Sequence, residues 1–141
     1  NAHVQPNRKY HYHGIPEYYL RNIASKLTEM LLLGYAADGF PIYYQYGYIN
    51  SELSLLNSSY VLKSGNRSGN GIDEPCGTYN GVYTADYEYI EGFGDLDECN
   101  GYEGFTPEYP NGTYYYVLTE AYPGIPRCFK GIPSQDFRIG N

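Results

Sequence analysis

The chain has no tryptophan, one methionine, three histidines and three cysteines among its 141 residues. Nine lysines and arginines face sixteen aspartates and glutamates, a formal net charge of −7. Proteins that grip a phosphate backbone gather cations on one face. No such cluster is present, so nucleic acid is not an expected partner. No apolar run approaches the roughly 20 residues a helix needs to cross a bilayer; the longest is Met30-Leu31-Leu32-Leu33. No membrane span is expected. Cys76, Cys99 and Cys128 include no Cys-x-x-Cys pair, which argues against a zinc–thiolate site. In an oxidising compartment they form one disulfide and leave one thiol. Cys99 with Cys128 is the first expectation and Cys76 with Cys99 the second.

Tyrosine, glycine and proline are plentiful, at twenty, seventeen and nine residues. That composition favours short strands and many turns over a helical bundle. The expected fold is mainly β: a single antiparallel β-sandwich-like domain with one packed α-helix at about 17–33 and long loops. The helix is expected because Leu20, Ile23, Ala24, Leu27, Met30 and Leu31 follow the three-and-four spacing of one face, with Pro16 at its start and Gly34 at its stop. Asp38-Gly39 is a turn signal between two apolar segments. Strands are expected at 42–48, 60–63, 81–89 and 113–119, and 64–77 reads as a surface loop. Both faces of 113–119 are apolar, which places that strand centrally. The chain divides into an arm at 1–9, a β domain at 10–133 and a polar tail at 134–141.

The histidines sit at the front. In Tyr10-His11-Tyr12-His13-Gly14, strand alternation puts His11 and His13 on one side and the tyrosines on the other. His3, upstream of Pro6, can fold back to join them. Neutral imidazoles suit copper or zinc, with a carboxylate such as Asp38 orienting a ring from behind. The plain alternative is a pair of strand histidines hydrogen-bonded to carbonyls or tyrosine hydroxyls. If Asn1 is a true terminus, its amine, two backbone nitrogens and the His3 ring make a square-planar set for Cu(II) or Ni(II).

Several longer motifs carry a resemblance. The histidine segment, Gly34-Tyr35-Ala36-Ala37-Asp38-Gly39-Phe40-Pro41-Ile42-Tyr43, Gly94-Asp95-Leu96-Asp97-Glu98-Cys99-Asn100-Gly101, Tyr109-Pro110-Asn111-Gly112-Thr113-Tyr114 and Pro126-Arg127-Cys128-Phe129-Lys130-Gly131 together resemble the YHYH domain family. That likeness implies an exported, bacterial-type domain and brings no settled activity with it. Family members often carry a cysteine just after the proline that follows the histidines. Here that neighbourhood holds Tyr18, so Cys76 either takes over that sulfur's role or changes the pairing.

Asp95, Asp97 and Glu98 form a glycine-bounded acidic stretch in which alternate carboxylates can converge on Ca2+. The spacing is not that of an EF-hand, so distant donors such as Asp38, Asp86 or Glu88 would be needed. The bland reading is a capped turn with solvated charges. Tyrosine abundance also invites a carbohydrate partner, since rings stack on pyranose faces, although most tyrosines must be architecture. No Gly-x-Ser-x-Gly elbow or phosphate-cradling glycine pattern supports catalysis.

The sequons Asn57-Ser58-Ser59, Asn66-Arg67-Ser68 and Asn111-Gly112-Thr113, with a start at Asn1 rather than methionine, fit an extracellular or cell-surface location. The overall expectation is an exported, metal-binding structural or binding module holding Ca2+ and/or Cu2+, or Zn2+. Copies of the chain could assemble into a filament if the arm adds as a strand to a neighbour. The alternative is a copper- or zinc-dependent extracytoplasmic enzyme using His11 and His13.

Overall fold

A computed structural model describes residues 2–6, 8, 10–12, 14–24 and 26–137. The strands are β1 (Ala2–Val4), β2 (Tyr10–Tyr12), β3 (Leu31–Tyr35), β4 (Pro41–Tyr44), β5 (Tyr46–Ile49), β6 (Glu52–Leu55), β7 (Tyr60–Leu62), β8 (Asn66–Ser68), β9 (Cys76–Thr78), β10 (Tyr87–Tyr89), β11 (Gly101–Gly104) and β12 (Thr113–Leu118). One helix, α1, spans Glu17–Ile23. The β-rich class with one helix is as expected.

The centre is a four-stranded sheet in the order β11-β12-β4-β3. β12 pairs antiparallel with β11 and parallel with β4, and β4 pairs antiparallel with β3 across a bulge between Leu32 and Gly34. The remaining strands form two-stranded ribbons: β1-β2, β5-β6, β7-β10 and β8-β9. β12 is buried on both faces, as its double apolar pattern required. Tyr115 and Val117 pack with Met30, Tyr43, Leu56 and Leu96, while Tyr114 and Tyr116 face the opposite way toward Cys99, Ala36, Phe40 and Ile42.

The expected helix over 17–33 is corrected. The helix stops at Ile23, Ala24 is already extended, and Leu31–Tyr35 forms β3. A short apolar run such as Leu31-Leu32-Leu33 fits a buried strand as well as a helix face. Here pairing of Leu31 with Tyr44 and Leu32 with Tyr43 decides the matter. Local periodicity gives way to a sheet partner that only the folded chain supplies.

The other expected strands shorten for local reasons. The 42–48 segment breaks at Gln45, whose φ of 34° lies in the left-handed region; its N–H donates to Leu118 O and its carbonyl accepts from Leu56 N–H. Of 81–89 only Tyr87–Tyr89 is strand, because a 3-10 turn at Thr84–Asp86 precedes it. The 64–77 stretch carries β8 and the start of β9 rather than loop alone. At the predicted Asp38-Gly39 turn, Gly39 N–H donates to Ala36 O at 2.9 Å and Ala36 N–H donates to Phe40 O at 2.8 Å.

One ion pair pins this outer region. Asp86 is fully buried. Its carboxylate accepts from Arg67 Nε at 2.7 Å and Nη2 at 2.6 Å, and from Gly81 N–H at 2.9 Å. The guanidinium also lies over the Tyr83 ring, 4.7 Å from its centre. Arg67, opposed by burial, holds the Asp86 carboxyl well below the usual carboxylate range. A depressed folded-state value means that this stabilisation is complete above the unfolded carboxylate range, about pH 4, and is lost as the pH falls below it. Asp86→Asn should therefore flatten the acid limb of a stability-versus-pH curve measured by urea unfolding, and lower stability near neutrality.

Candidate functional site

Antiparallel pairing of β1 with β2 sets Ala2 opposite Tyr12, His3 opposite His11 and Val4 opposite Tyr10. The first segment thus folds back on the histidine strand, and the register puts two of the three imidazoles directly across from each other. Cross-strand partners are the closest side-chain pairs in a sheet. The His3 and His11 ring centres are 4.5 Å apart with planes at 79°. Tyr10 and Tyr12 project together, their rings 5.4 Å apart edge to face. His13, expected on the His11 face, and Asn1, expected to supply a terminal amine, lie outside the described residues.

That ring spacing has a chemical meaning. With nitrogen–metal bonds of about 2.0–2.1 Å, each ring centre sits roughly 3.2 Å from a shared ion, so two imidazoles at 90–109° have centres about 4.5–5.2 Å apart. The observed spacing matches the lower end, that of neighbouring positions in a square-planar set such as Cu(II) prefers.

The other expected ligands lie in a second cluster or apart. Asp38, in the turn between β3 and β4, accepts from Tyr116 Oη–H at 2.5 Å and Gly131 N–H at 3.0 Å. Its other oxygen, Oδ1, is buried and makes no hydrogen bond among the described residues. Asp97 Oδ1 accepts from Cys99 N–H at 3.0 Å and Gly101 N–H at 2.9 Å, the Tyr114 hydroxyl reaches both carboxylate oxygens, and Lys130 Nζ stands 3.6 Å from Oδ2. Asp95 turns to Asn57, accepting from its N–H at 2.8 Å and its Nδ2 at 3.1 Å. Glu98 is exposed, and its backbone carbonyl accepts from the Tyr60 hydroxyl. The acidic stretch is a capped turn whose carboxylates serve separate partners. Asp86, considered as a distant calcium donor, is committed to Arg67. Among the described residues no three His, Cys, Asp or Glu side chains come together.

The Asp38–Asp97 cluster is where the long motifs meet. Asp38, Asp97, Tyr114, Tyr116 and Lys130 come from segments far apart in the chain, and Cys99 is disulfide-bonded to Cys128 with Cα atoms 4.8 Å apart. The bridge is the first of the two pairings expected. Cys76 is the exposed free thiol. Around the bridge, Arg127 N–H donates to Cys99 O, Lys130 N–H to Tyr116 Oη and Ser134 N–H to Ala37 O. Residues 126–134 are therefore a strap tied across one face of the sheet. Burial first, then the neighbouring carboxylates, pushes the Tyr114 and Tyr116 hydroxyls far above the usual tyrosine range. Both stay protonated as donors, a scaffolding role rather than proton transfer. The five-residue convergence was not visible in sequence, because its members come from segments far apart in the chain.

Fold and site together define a small β-rich domain, stapled by a disulfide and bearing a histidine hairpin at one end. A family profile described as YHYH protein matches residues 1–131, and the chain belongs to that family. No curated protein and no solved structure matches it. Among the described residues no helix is long and apolar enough to cross a membrane.

Proposed function

We propose that this domain is an extracellular, metal-stabilised binding module that holds a Cu(II) or Zn(II) ion on the β1-β2 hairpin through His3 and His11. His13 is the expected third ligand by strand alternation. The observation that carries this reading is the cross-strand register, which sets His3 against His11 with ring centres 4.5 Å apart. The Cys99–Cys128 bridge supports a location outside reducing compartments, where such bonds persist. Because the ion joins β1 to β2, it closes a hairpin too short to be stable alone. Its binding free energy then adds to folding, since the unfolded chain presents no paired rings.

Ala2–Val4 is paired within its own chain. Filament growth by strand addition would require that hairpin to open, which a bound ion opposes.

Isothermal titration of metal-free protein should give one Cu(II) or Zn(II) site per chain. At least ten-fold weaker binding is expected in His3→Ala and in His11→Ala, with loss of the metal-induced rise in melting temperature. Affinity should fall as the pH drops, because each imidazole must shed its proton to ligate. Titrations unchanged in both variants would remove the hairpin from the proposal.

A further inference from the structure

A cleft remote in sequence from the histidine hairpin lies where the 90–96 loop meets residues 57–60. Its volume is about 560 Å³, and Asn57, Tyr60, Phe93 and Asp95 are among its walls. That is within the roughly 300–1,000 Å³ of small-ligand sites.

The loop is tied down along its length. Ile90 N–H donates to Ser59 O at 2.9 Å, Gly94 N–H to Ser59 Oγ at 3.2 Å, and the N–H groups of Asp95 and Leu96 both donate to Asn57 O, at 2.9 and 3.2 Å. At Gly94 the backbones approach so closely that a Cβ would stand 2.5 Å from Ser58 O. Phe93, carried by this loop, is 66% exposed. Its ring is presented to solvent by a fixed backbone. Asp95 is equally preset: Oδ2 is held by the Asn57 N–H and Nδ2, and Oδ1 has no protein donor among the described residues. Asn57 begins a sequon, yet its amide nitrogen is committed to Asp95 and to Leu55 O.

Among the described residues no lysine, arginine or histidine lines the cleft, and the chain carries a net charge of −7. An anionic ligand would meet a carboxylate and no compensating cation. A quaternary ammonium needs aromatic faces on several sides, whereas the described walls offer two rings, Phe93 and Tyr60, of which Phe93 alone is largely exposed. An exposed ring next to preset hydrogen-bonding groups suits a ligand with an apolar face and a polar edge.

We propose that this cleft binds a neutral pyranose, its C–H face on Phe93 and its hydroxyls bonded to Asp95 Oδ1 and the Asn57 side chain. The carboxylate makes charge-assisted hydrogen bonds to hydroxyls without requiring charge on the ligand. The site is independent of the histidine hairpin.

Affinity electrophoresis of the full chain through gels containing a β-glucan, a galactomannan, an α-mannan or alginate tests this directly. Retardation is expected in at least one neutral gel and not in alginate. Phe93→Ala and Asp95→Asn should each weaken it ten-fold or more, while Cys76→Ser, at an exposed thiol that does not line the cleft, leaves it unchanged. Circular dichroism of both cleft variants confirms the fold, and Phe93 is exposed enough for its removal to be tolerated. The proposal is overturned by free migration in all three neutral gels, by retardation that both folded variants retain, or by alginate retarding as strongly. Choline perturbing the Phe93 and Asp95 resonances in place of methyl glycosides would likewise overturn it.

Discussion

Replacing Cys99 and Cys128 together by alanine is expected to lower folding stability by about 3–4 kcal/mol. The bridge closes a loop of sequence separation 29, and releasing it returns that closure entropy to the unfolded chain. Near the midpoint this amounts to a fall in melting temperature of roughly 10 °C. The loss also has a location. Without the bridge, residues 126–134 rely on the hydrogen bonds from Arg127 N–H to Cys99 O, Lys130 N–H to Tyr116, Gly131 N–H to Asp38 and Ser134 N–H to Ala37 O. Amide exchange should therefore accelerate first in the strap, ahead of β12 and β4. Cys76→Ser should change little, since Cys76 is exposed and unbridged. A double alanine variant as stable as the parent would show that the strap is held by its polar contacts alone.

Alkaline unfolding should be equally pronounced. Tyr43, Tyr44, Tyr114, Tyr115 and Tyr116 are all buried, and in each burial is the main cause pushing the hydroxyl upward, to about 12 for Tyr44 and further for the others. A raised folded-state value gives stabilisation that is intact below the unfolded tyrosine value and is lost as the pH rises through the folded one. From about pH 10 upward the unfolded chain sheds protons that the folded chain retains, and each such tyrosine lowers stability by up to about 1.4 kcal/mol per pH unit. With five acting together, unfolding should be steep. Phenolate absorbance and circular dichroism followed in one titration should show exposed tyrosines ionising first and the buried set ionising only as structure is lost. Smooth ionisation of every tyrosine with the fold intact would contradict this view of the core.

These outcomes separate what sequence could and could not reveal. The β class was legible in the tyrosine, glycine and proline content, and the central place of residues 113–119 in their double-sided apolar pattern, now seen as β12. The Cys99–Cys128 pairing and the Asp38-Gly39 turn were legible too. Residues 31–35 were not, because Leu31-Leu32-Leu33 suits a helix face until Tyr43 and Tyr44 of β4 come alongside. The cluster of Asp38 with Tyr116 and Asp97 with Tyr114 was hidden for a related reason. Its bonds span 78 and 17 positions of sequence, and no local period encodes such partners. The pairing of His3 with His11 lay between these cases: alternation predicted a shared face for His11 and His13, and the fold-back of His3 needed only a bend near Pro6.

That hairpin is the centre of the functional reading, and electron paramagnetic resonance of one equivalent of Cu(II) on metal-free protein addresses it most directly. Square-planar parameters with coupling to at least two imidazole nitrogens are expected, reduced to one or none in the His3→Ala, His11→Ala double variant. A spectrum of the hydrated ion in the parent, or imidazole coupling that the double variant retains in full, would contradict a metal held between β1 and β2.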